Sequence, residues 1–529
     1  MIPPVSGPPP KNTRRNQHVS GVISIGKSSA LSDYLASRTA SEVNPSFVSY
    51  LANLGAVAEV APPIAAAIVQ ELADQRGYLK LIASENYSSL STQAAMGNLL
   101  TDKYAEGFPG QRFYEGCDNV DTVEAYACEQ ACKLFGAEHA YVQPHSGADA
   151  NLIAFWSILT AKVEMPRLEE LGIKDPGKVS HDDWAKIRAA LGNQRLLAMD
   201  YACGGHLTHG YRRNLSGKMF DAHQYPVSKE TGLLNYDQIA QMAQEIKPLI
   251  LLAGYSAYPR KIDFRRMREI ADSVGAVFMV DMAHFAGLVA GKVFTGDFDP
   301  VAHAHVVTST THKTLRGPRG GIILCKKEFA EVVDKGCPIA IGGPLPHVMA
   351  AKAVAFTEAN QPAFRDYAQQ IVKNAAALAQ ACVDEGLTVL TGGTDNHLLL
   401  INVTGCGLTG RQAASALREC GITLNFNSLP YDVNGPLVTS GLRIGTPAVT
   451  TLGMREDEMR QIAAIIKQVL TAAEAGTIES GPKAGEPSKL LHRLEASARE
   501  GAKAQVRALL DRYPVYPDLD LDFLQKYFT

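Results

Sequence analysis

Apolar positions in the middle of the chain fall into short unbroken runs, at 249–253, 276–280, 305–308 and 321–325. Runs this short, bounded by turn residues, fit strands buried on both faces. Segments of helical period lie between them, for example 264–274. Strands alternating with helices predict an α/β fold with a mostly parallel sheet covered on both sides. In such a sheet ligands gather beyond the carboxyl ends of the strands.

The flanking regions read differently. Ile64, Ile68, Leu72 and Tyr78 recur at roughly helical spacing behind Pro62 and Pro63, which suits a helix start. A second helical pattern spans 122–135, with Gly136 as its stop. Beyond 346 comes an Ala-rich helical stretch to 385, interrupted at Pro362. A strand-like 396–403, a helix-like 409–419 and a helix near 455–475 follow, an α+β arrangement. The predicted organisation is therefore a flexible N-terminal tail and arm (1–60), a large domain (61–345), a smaller α+β domain (346–516) and a tail (517–529). Within the large domain, 163–194 reads as an inserted surface hairpin. It holds two charged helical patterns, 167–171 and 182–191, separated by Asp175-Pro176-Gly177.

Composition narrows the picture. A hydrophobic content of 46% with 20% charged residues suits a soluble globular protein. A net charge of −3 gives no electrostatic reason for a nucleic-acid partner. No stretch approaches the roughly 18–20 uncharged apolar residues of a membrane helix. Nine cysteines without a C-x-x-C pair point to reduced thiols in a cytoplasmic protein. The proline-rich first 20 residues lack the apolar core of a secretory signal and read as a disordered tail.

Three local patterns suggest chemistry. The run Val277-Phe278-Met279-Val280 ends in Asp281, placing a carboxylate at the end of a buried strand, where it needs a partner. A protonated pyridine nitrogen would serve, and that pairing keeps the ring an electron sink; the plainer reading is a helix cap. One strand later, Thr310-Thr311-His312-Lys313-Thr314 puts a lysine on the same rim. An amine crowded by hydroxyls and cations loses its proton more readily and attacks an aldehyde. Finally, Ser146-Gly147-Ala148 opens a helical pattern, an arrangement suited either to a phosphate dianion or to a plain N-cap.

Six motifs resemble serine hydroxymethyltransferase, in that family's order. They are Leu81-Ile82-Ala83-Ser84-Glu85-Asn86, Lys103-Tyr104-Ala105-Glu106-Gly107, Gly204-Gly205-His206-Leu207-Thr208-His209-Gly210, Val280 to His284, Thr310 to Thr314, and Ser440-Gly441-Leu442-Arg443-Ile444-Gly445-Thr446-Pro447. The resemblance implies a fold-type I transferase dependent on pyridoxal phosphate, with a seven-stranded type of sheet. It implies a homodimer or dimer of dimers with shared active sites. The reaction implied moves the serine hydroxymethyl carbon to tetrahydrofolate, giving glycine and methylenetetrahydrofolate. No metal is implied.

By the same resemblance Lys313 holds the cofactor as a Schiff base, Asp281 pairs with the pyridine nitrogen, His206 stacks on the ring and His284 sits by its phenolic oxygen. Ser146, Gly147, Ser256 and His312 contact the cofactor, joined by Tyr104 and Gly343 from the neighbouring subunit. Arg443 clamps the substrate carboxylate, assisted by Ser84 and Tyr114, while Thr310 and Arg319 line the site. Glu106, from the neighbouring subunit, is the acid/base candidate. Gly204, Gly205, Leu207 and Asn427 cradle tetrahydrofolate. Three positions depart from the family pattern: Ala148 replaces a serine of the phosphate turn, Ile341 a glutamine, and Tyr201 stands where a leucine packs on the pteridine. Those departures leave a folate-independent aldolase acting on threonine-like β-hydroxy amino acids as the alternative.

Overall fold

The computed structural model describes residues 29–529. The expected tail over 1–28 lies outside the described residues. The described residues divide into two compact units, one comprising 29–71 with Asp518–Thr529, the other Leu72–Pro517.

In the first unit, helices Ala30–Ala36 and Pro45–Val60 are capped by the side chains of Ser29 and Asn44. Tyr34 meets Phe47 edge-on at 4.9 Å and Phe523 at 5.7 Å. The Tyr527 hydroxyl donates to Asp33 at 2.6 Å. Phe523 and Tyr527 belong to helix Leu521–Phe528, so the aromatic C-terminal segment supplies the core of this unit. The expectation of a flexible arm up to residue 60 is thereby corrected. These short helices lack a core of their own and acquire one from residues some 490 positions later, as Phe523 on Tyr34 shows.

The second unit is built on seven strands: β1 His139–Tyr141, β2 Arg195–Met199, β3 Asp221–Tyr225, β4 Ile250–Gly254, β5 Val277–Asp281, β6 Val306–Thr310 and β7 Gly321–Cys325. Their order across the sheet is β1-β7-β6-β5-β4-β2-β3. Strands β2 to β6 pair in parallel, and β7 runs antiparallel to both β6 and β1. All strands except β7 thus point their carboxyl ends to one rim. Alternate residues feed two apolar clusters. Leu197, Leu251, Phe278 and Val307 join one; Leu196, Ile250, Met279 and Val306 join the other. Strands β4 to β7 are buried along their whole length, which explains why they read as continuous apolar runs.

A four-stranded antiparallel sheet follows, with β8 Thr388–Val389, β9 Leu398–Asn402, β10 Asn425–Asn427 and β11 Gly441–Gly445 in the order β8-β9-β11-β10. Helices Pro362–Asp384, Gly410–Glu419 and Glu456–Ala472 cover its own apolar cluster. Helix Pro346–Ala359 instead buries Met349, Ala353 and Phe356 in the large-sheet core, which therefore extends past residue 345.

Two other expectations are corrected. The helix expected to reach 475 stops at Ala472, because Ala473–Thr477 pairs as a strand with Pro487–Leu494 ahead of helix Ala496–Arg512. The segment over 163–194 forms the expected helices, Met165–Glu170 and His181–Gly192. It is more than a surface hairpin, since Leu168, Ile187 and Leu191 are buried in the cluster that holds Leu196, Ile250 and Ile323. Among the described residues no helix is long and apolar enough to cross a membrane.

Candidate active site

Three strands of the common rim lead into site side chains. β5 ends in Asp281, β6 ends in Thr310 with Lys313 three residues on, and β4 ends in Gly254 with Ser256 two residues on. Gly254 lies opposite Asp281 in the register, and Asp281 opposite Thr308. A cavity of about 610 Å³ opens over this rim. Its walls include Ser84, Gly204, Gly205, His206, Leu207, Ser256, His284, His312, Lys313, Arg319, Asn427 and Arg443. Residues from five of the six sequence motifs thus converge on one space.

The loop after β2 can approach only because it is glycine. A Cβ on Gly204 would lie 2.7 Å from the Ala257 carbonyl oxygen, and one on Gly205 2.2 Å from that of Met199. Gly204 also has φ +109, which favours glycine. Tyr201, 39% exposed, lines the same cavity and leans on Tyr211 with ring centroids 5.0 Å apart.

Beneath the cavity lies a buried polar network. Asp281 Oδ2 accepts from Asn151 Nδ2 at 2.8 Å and from His209 Nε2 at 3.1 Å, while Oδ1 accepts from the Ala283 N–H at 3.0 Å. Burial alone would raise this carboxyl's pKa. The hydrogen bond and charge of His209, with His206 and Asn151, outweigh burial and hold Asp281 well below the carboxylate range. Asn151 also donates to Thr208, whose hydroxyl lies 2.7 Å from His206 Nδ1. Ligand-type atoms of His206, His209 and Asp281 lie within 4.8 Å of one another, but the His209 and Asp281 atoms already engage each other by hydrogen bonding.

The cations shape the rest. Burial, assisted by Arg443 and Arg319 and opposed by Asp281, lowers Lys313 to about 8. Burial lowers Arg443 to about 10; its Nη1 donates to the Ser256 carbonyl at 2.6 Å and its Nε to Asn425 at 3.0 Å. His206 falls to about 4 through burial and then His209, and His312 to about 3 through burial and then Arg319.

Ser146 caps helix Gly147–Leu159, its hydroxyl accepting from the Asp149 N–H at 3.1 Å. A Cβ on Gly147 would meet the Thr310 methyl at 2.6 Å, so the helix start packs directly on the end of β6. Thr310 itself is buried and donates to the Ala283 carbonyl at 3.3 Å. Tyr104, Glu106, Tyr114 and Gly343 do not line the cavity. Tyr104 and Tyr114 pack edge-on at 5.4 Å with 63% and 45% exposure, and the Glu106 charge raises the pKa of Tyr114. Gly343 faces the Tyr104 ring, and its carbonyl lies 3.1 Å from His145 Nε2.

No local signal singled out His397, which pairs with His284, or Asn151 and Asn86, whose amides reach Asp281 and the Lys313 carbonyl. His209 was visible as the second histidine of His206-Leu207-Thr208-His209, but its bond to Asp281 was not.

A pyridoxal phosphate ring fits these residues. An ionised carboxylate stands ready for a pyridinium, an easily deprotonated amine for an aldehyde, and a capped helix start for a phosphate. His312 Nδ1 is buried without a hydrogen-bond partner, consistent with a polar group missing from its surroundings.

The family model described as serine hydroxymethyltransferase matches residues 57–191 and 189–466. The break between the two matches falls at the end of the 163–194 segment. Similar proteins include the serine hydroxymethyltransferase of Treponema pallidum, 61% identical over 95% of this chain and 87% of that protein. That of Salinispora tropica is 57% identical over 90% and 99%, and that of Mycolicibacterium smegmatis 55% identical over 93% and 99%. With the rim geometry, these matches establish that the chain belongs to the serine hydroxymethyltransferase family.

Proposed function

We propose that Lys313, Asp281 and Arg443 form the working centre of this enzyme. The enzyme is a pyridoxal-phosphate-dependent transferase that interconverts serine and glycine with tetrahydrofolate as one-carbon carrier. The observation that carries the site assignment is one cavity walled by Lys313, lowered to about 8, and the buried Arg443, with the ionised Asp281 carboxylate at the strand end beneath it.

Bound pyridoxal phosphate supplies an electron sink for the substrate α-carbon. Asp281 keeps the sink effective by staying ionised beside the ring nitrogen. Lys313 would attach the cofactor, and with its amine lowered to about 8 it gives up its proton far more readily than an ordinary lysine. Arg443, steadied by Ser256 and Asn425, receives the substrate carboxylate in a fork that lysine cannot reproduce. Ser84, in the wall of the same cavity, assists it, and Tyr114 does so from a second copy. His206 would cover the ring face, His284 would face the phenolic oxygen, and Ser146, Gly147, Ser256 and His312 would hold the remainder, with Thr310 supporting the rim. Gly204, Gly205, Leu207 and Asn427 admit the pteridine.

Glu106 moves the proton of the serine hydroxyl, and it acts in the site of a second copy, together with Tyr104 and Gly343. Two exposed tyrosines, placed outside their own chain's cavity, support a homodimer or dimer of dimers. Nine free cysteines support a cytoplasmic location.

The test is serine cleavage measured with and without tetrahydrofolate. A strong dependence is expected; equal rates would return the chain to the folate-independent aldolase reading, for which Tyr201 in the cavity wall leaves room.

A further inference from the structure

His397 stands immediately before β9 and is fully buried. Its backbone is fixed: its carbonyl accepts from the Thr446 N–H at 3.0 Å, and neighbouring Asn396 donates to the Tyr255 hydroxyl and the Tyr258 carbonyl, both at 3.0 Å. The ring's Nε2 lies 3.2 Å from Nδ1 of His284, with ring centroids 5.4 Å apart and planes at 30°. Its Nδ1 is buried with no hydrogen-bond partner.

Neither ring is protonated twice. Burial, then Arg443 and Lys313, lowers His397 to about 3; burial, then Lys313 and Arg443, pushes His284 well below its ordinary value. Two neutral imidazoles in contact admit two arrangements. In one, His284 donates from Nδ1, and His397 must then carry its own proton on the buried, partnerless Nδ1. In the other, His397 donates from Nε2 and leaves Nδ1 a bare lone pair. A buried N–H without an acceptor is costly and rare, so the second arrangement prevails. Its consequence falls on His284. With Nδ1 accepting, the His284 proton sits on Nε2, the nitrogen left for the cavity that His284 lines.

We propose that His397 is a positioning residue: it donates to Nδ1 of His284 and fixes that ring as the neutral Nε2–H form, which offers an N–H to an anionic oxygen in the cavity. The inference rests on the reading above that His284 faces the phenolic oxygen. Without His397, His284 is free to exchange tautomers and presents a donor only part of the time.

The test uses the holoenzyme with isotopically labelled histidine rings, the His284 signals being assigned by their loss in His284→Gln. Nitrogen NMR of the wild type is expected to show His284 protonated at Nε2. In His397→Leu the His284 signals should move toward a mixture of tautomers, and kcat should fall about tenfold, as for outer-shell partners elsewhere. KM for serine should stay within about twofold, since ground-state binding is untouched. His397→Gln, whose amide can still donate, should restore both the tautomer and most of kcat. A His284 protonated at Nδ1 in the wild type would overturn the proposal, as would unaltered His284 signals in a folded His397→Leu. Should the leucine variant not fold, the wild-type spectrum and the glutamine variant decide. Altered His284 signals with unchanged kcat would support the tautomer assignment and overturn the role given to His284 at the cofactor.

Discussion

His209 donates from Nε2 to the same Asp281 oxygen that receives the Asn151 amide, at 3.1 and 2.8 Å, on the buried side of the cavity. The carboxylate thereby stays ionised despite its burial, which is the condition for holding a pyridinium. Replacing the charge while keeping the shape isolates this effect. Asp281→Asn should weaken cofactor binding by roughly 2–5 kcal/mol, the usual consequence of losing one member of a buried charge pair. Titration of the apoprotein with pyridoxal phosphate, followed by absorbance, measures it; unaltered affinity would contradict the pairing.

Lys313 carries a pH signature. Its amine is lowered to about 8 from an ordinary value of about 10.4, and only the deprotonated amine attacks an aldehyde. The rate of cofactor capture by the apoprotein should therefore rise with pH and level off above about 8. The neighbours set the direction of further shifts. Asp281 raises this pKa, so Asp281→Asn should move the inflection down; Arg443 lowers it, so Arg443→Met should move it up. An inflection near that of a free lysine would contradict the assignment.

Arg443 is the carboxylate receiver in this account. Arg443→Lys keeps the charge and removes the planar fork, at a cost of about 1.5–3 kcal/mol for a lost charged hydrogen bond. KM for serine should rise roughly 10- to 100-fold, the same energy expressed in binding. A change confined to kcat would place Arg443 elsewhere in the mechanism.

The 163–194 segment makes a stability prediction distinct from function. Ile187 is 2% exposed and packs in the cluster beneath the large sheet. Ile187→Ala should destabilise the fold by about 2–5 kcal/mol and leave pyridoxal phosphate bound in the folded fraction. Denaturant unfolding with cofactor absorbance as a second probe reads both. A variant of unchanged stability would mean that the segment is the detachable hairpin its charge pattern suggests.

What the chain discloses before folding depends on how local each signal is. Asp281 and Lys313 stood out because each follows a short run that reads as a buried strand, and successive parallel strands place both on one rim. Helix Asp118–Phe135 was legible in the same way, as Gly136 closes it with φ +72. His397 was silent. Its partner lies 113 positions away, and nothing beside it marks a site. The helix Ala30–Ala36 was missed because the rings that bury Tyr34 come partly from the far end of the chain. The strand Ala473–Thr477 continues a helical pattern and is turned into a strand by its pairing with Pro487–Leu494. Glu106, Tyr104 and Tyr114 were chosen through family resemblance alone, and a single chain leaves them outside the cavity.

The proposed chemistry depends on the amine of Lys313 as the attachment point of the cofactor. Borohydride reduction of the holoenzyme, followed by peptide mapping, tests it most directly. The reduced pyridoxyl group is expected on the peptide containing Lys313, with no trapped adduct in Lys313→Ala. A label on the buried Lys352, whose ammonium already donates to three carbonyls, or an adduct that persists without Lys313, would contradict it.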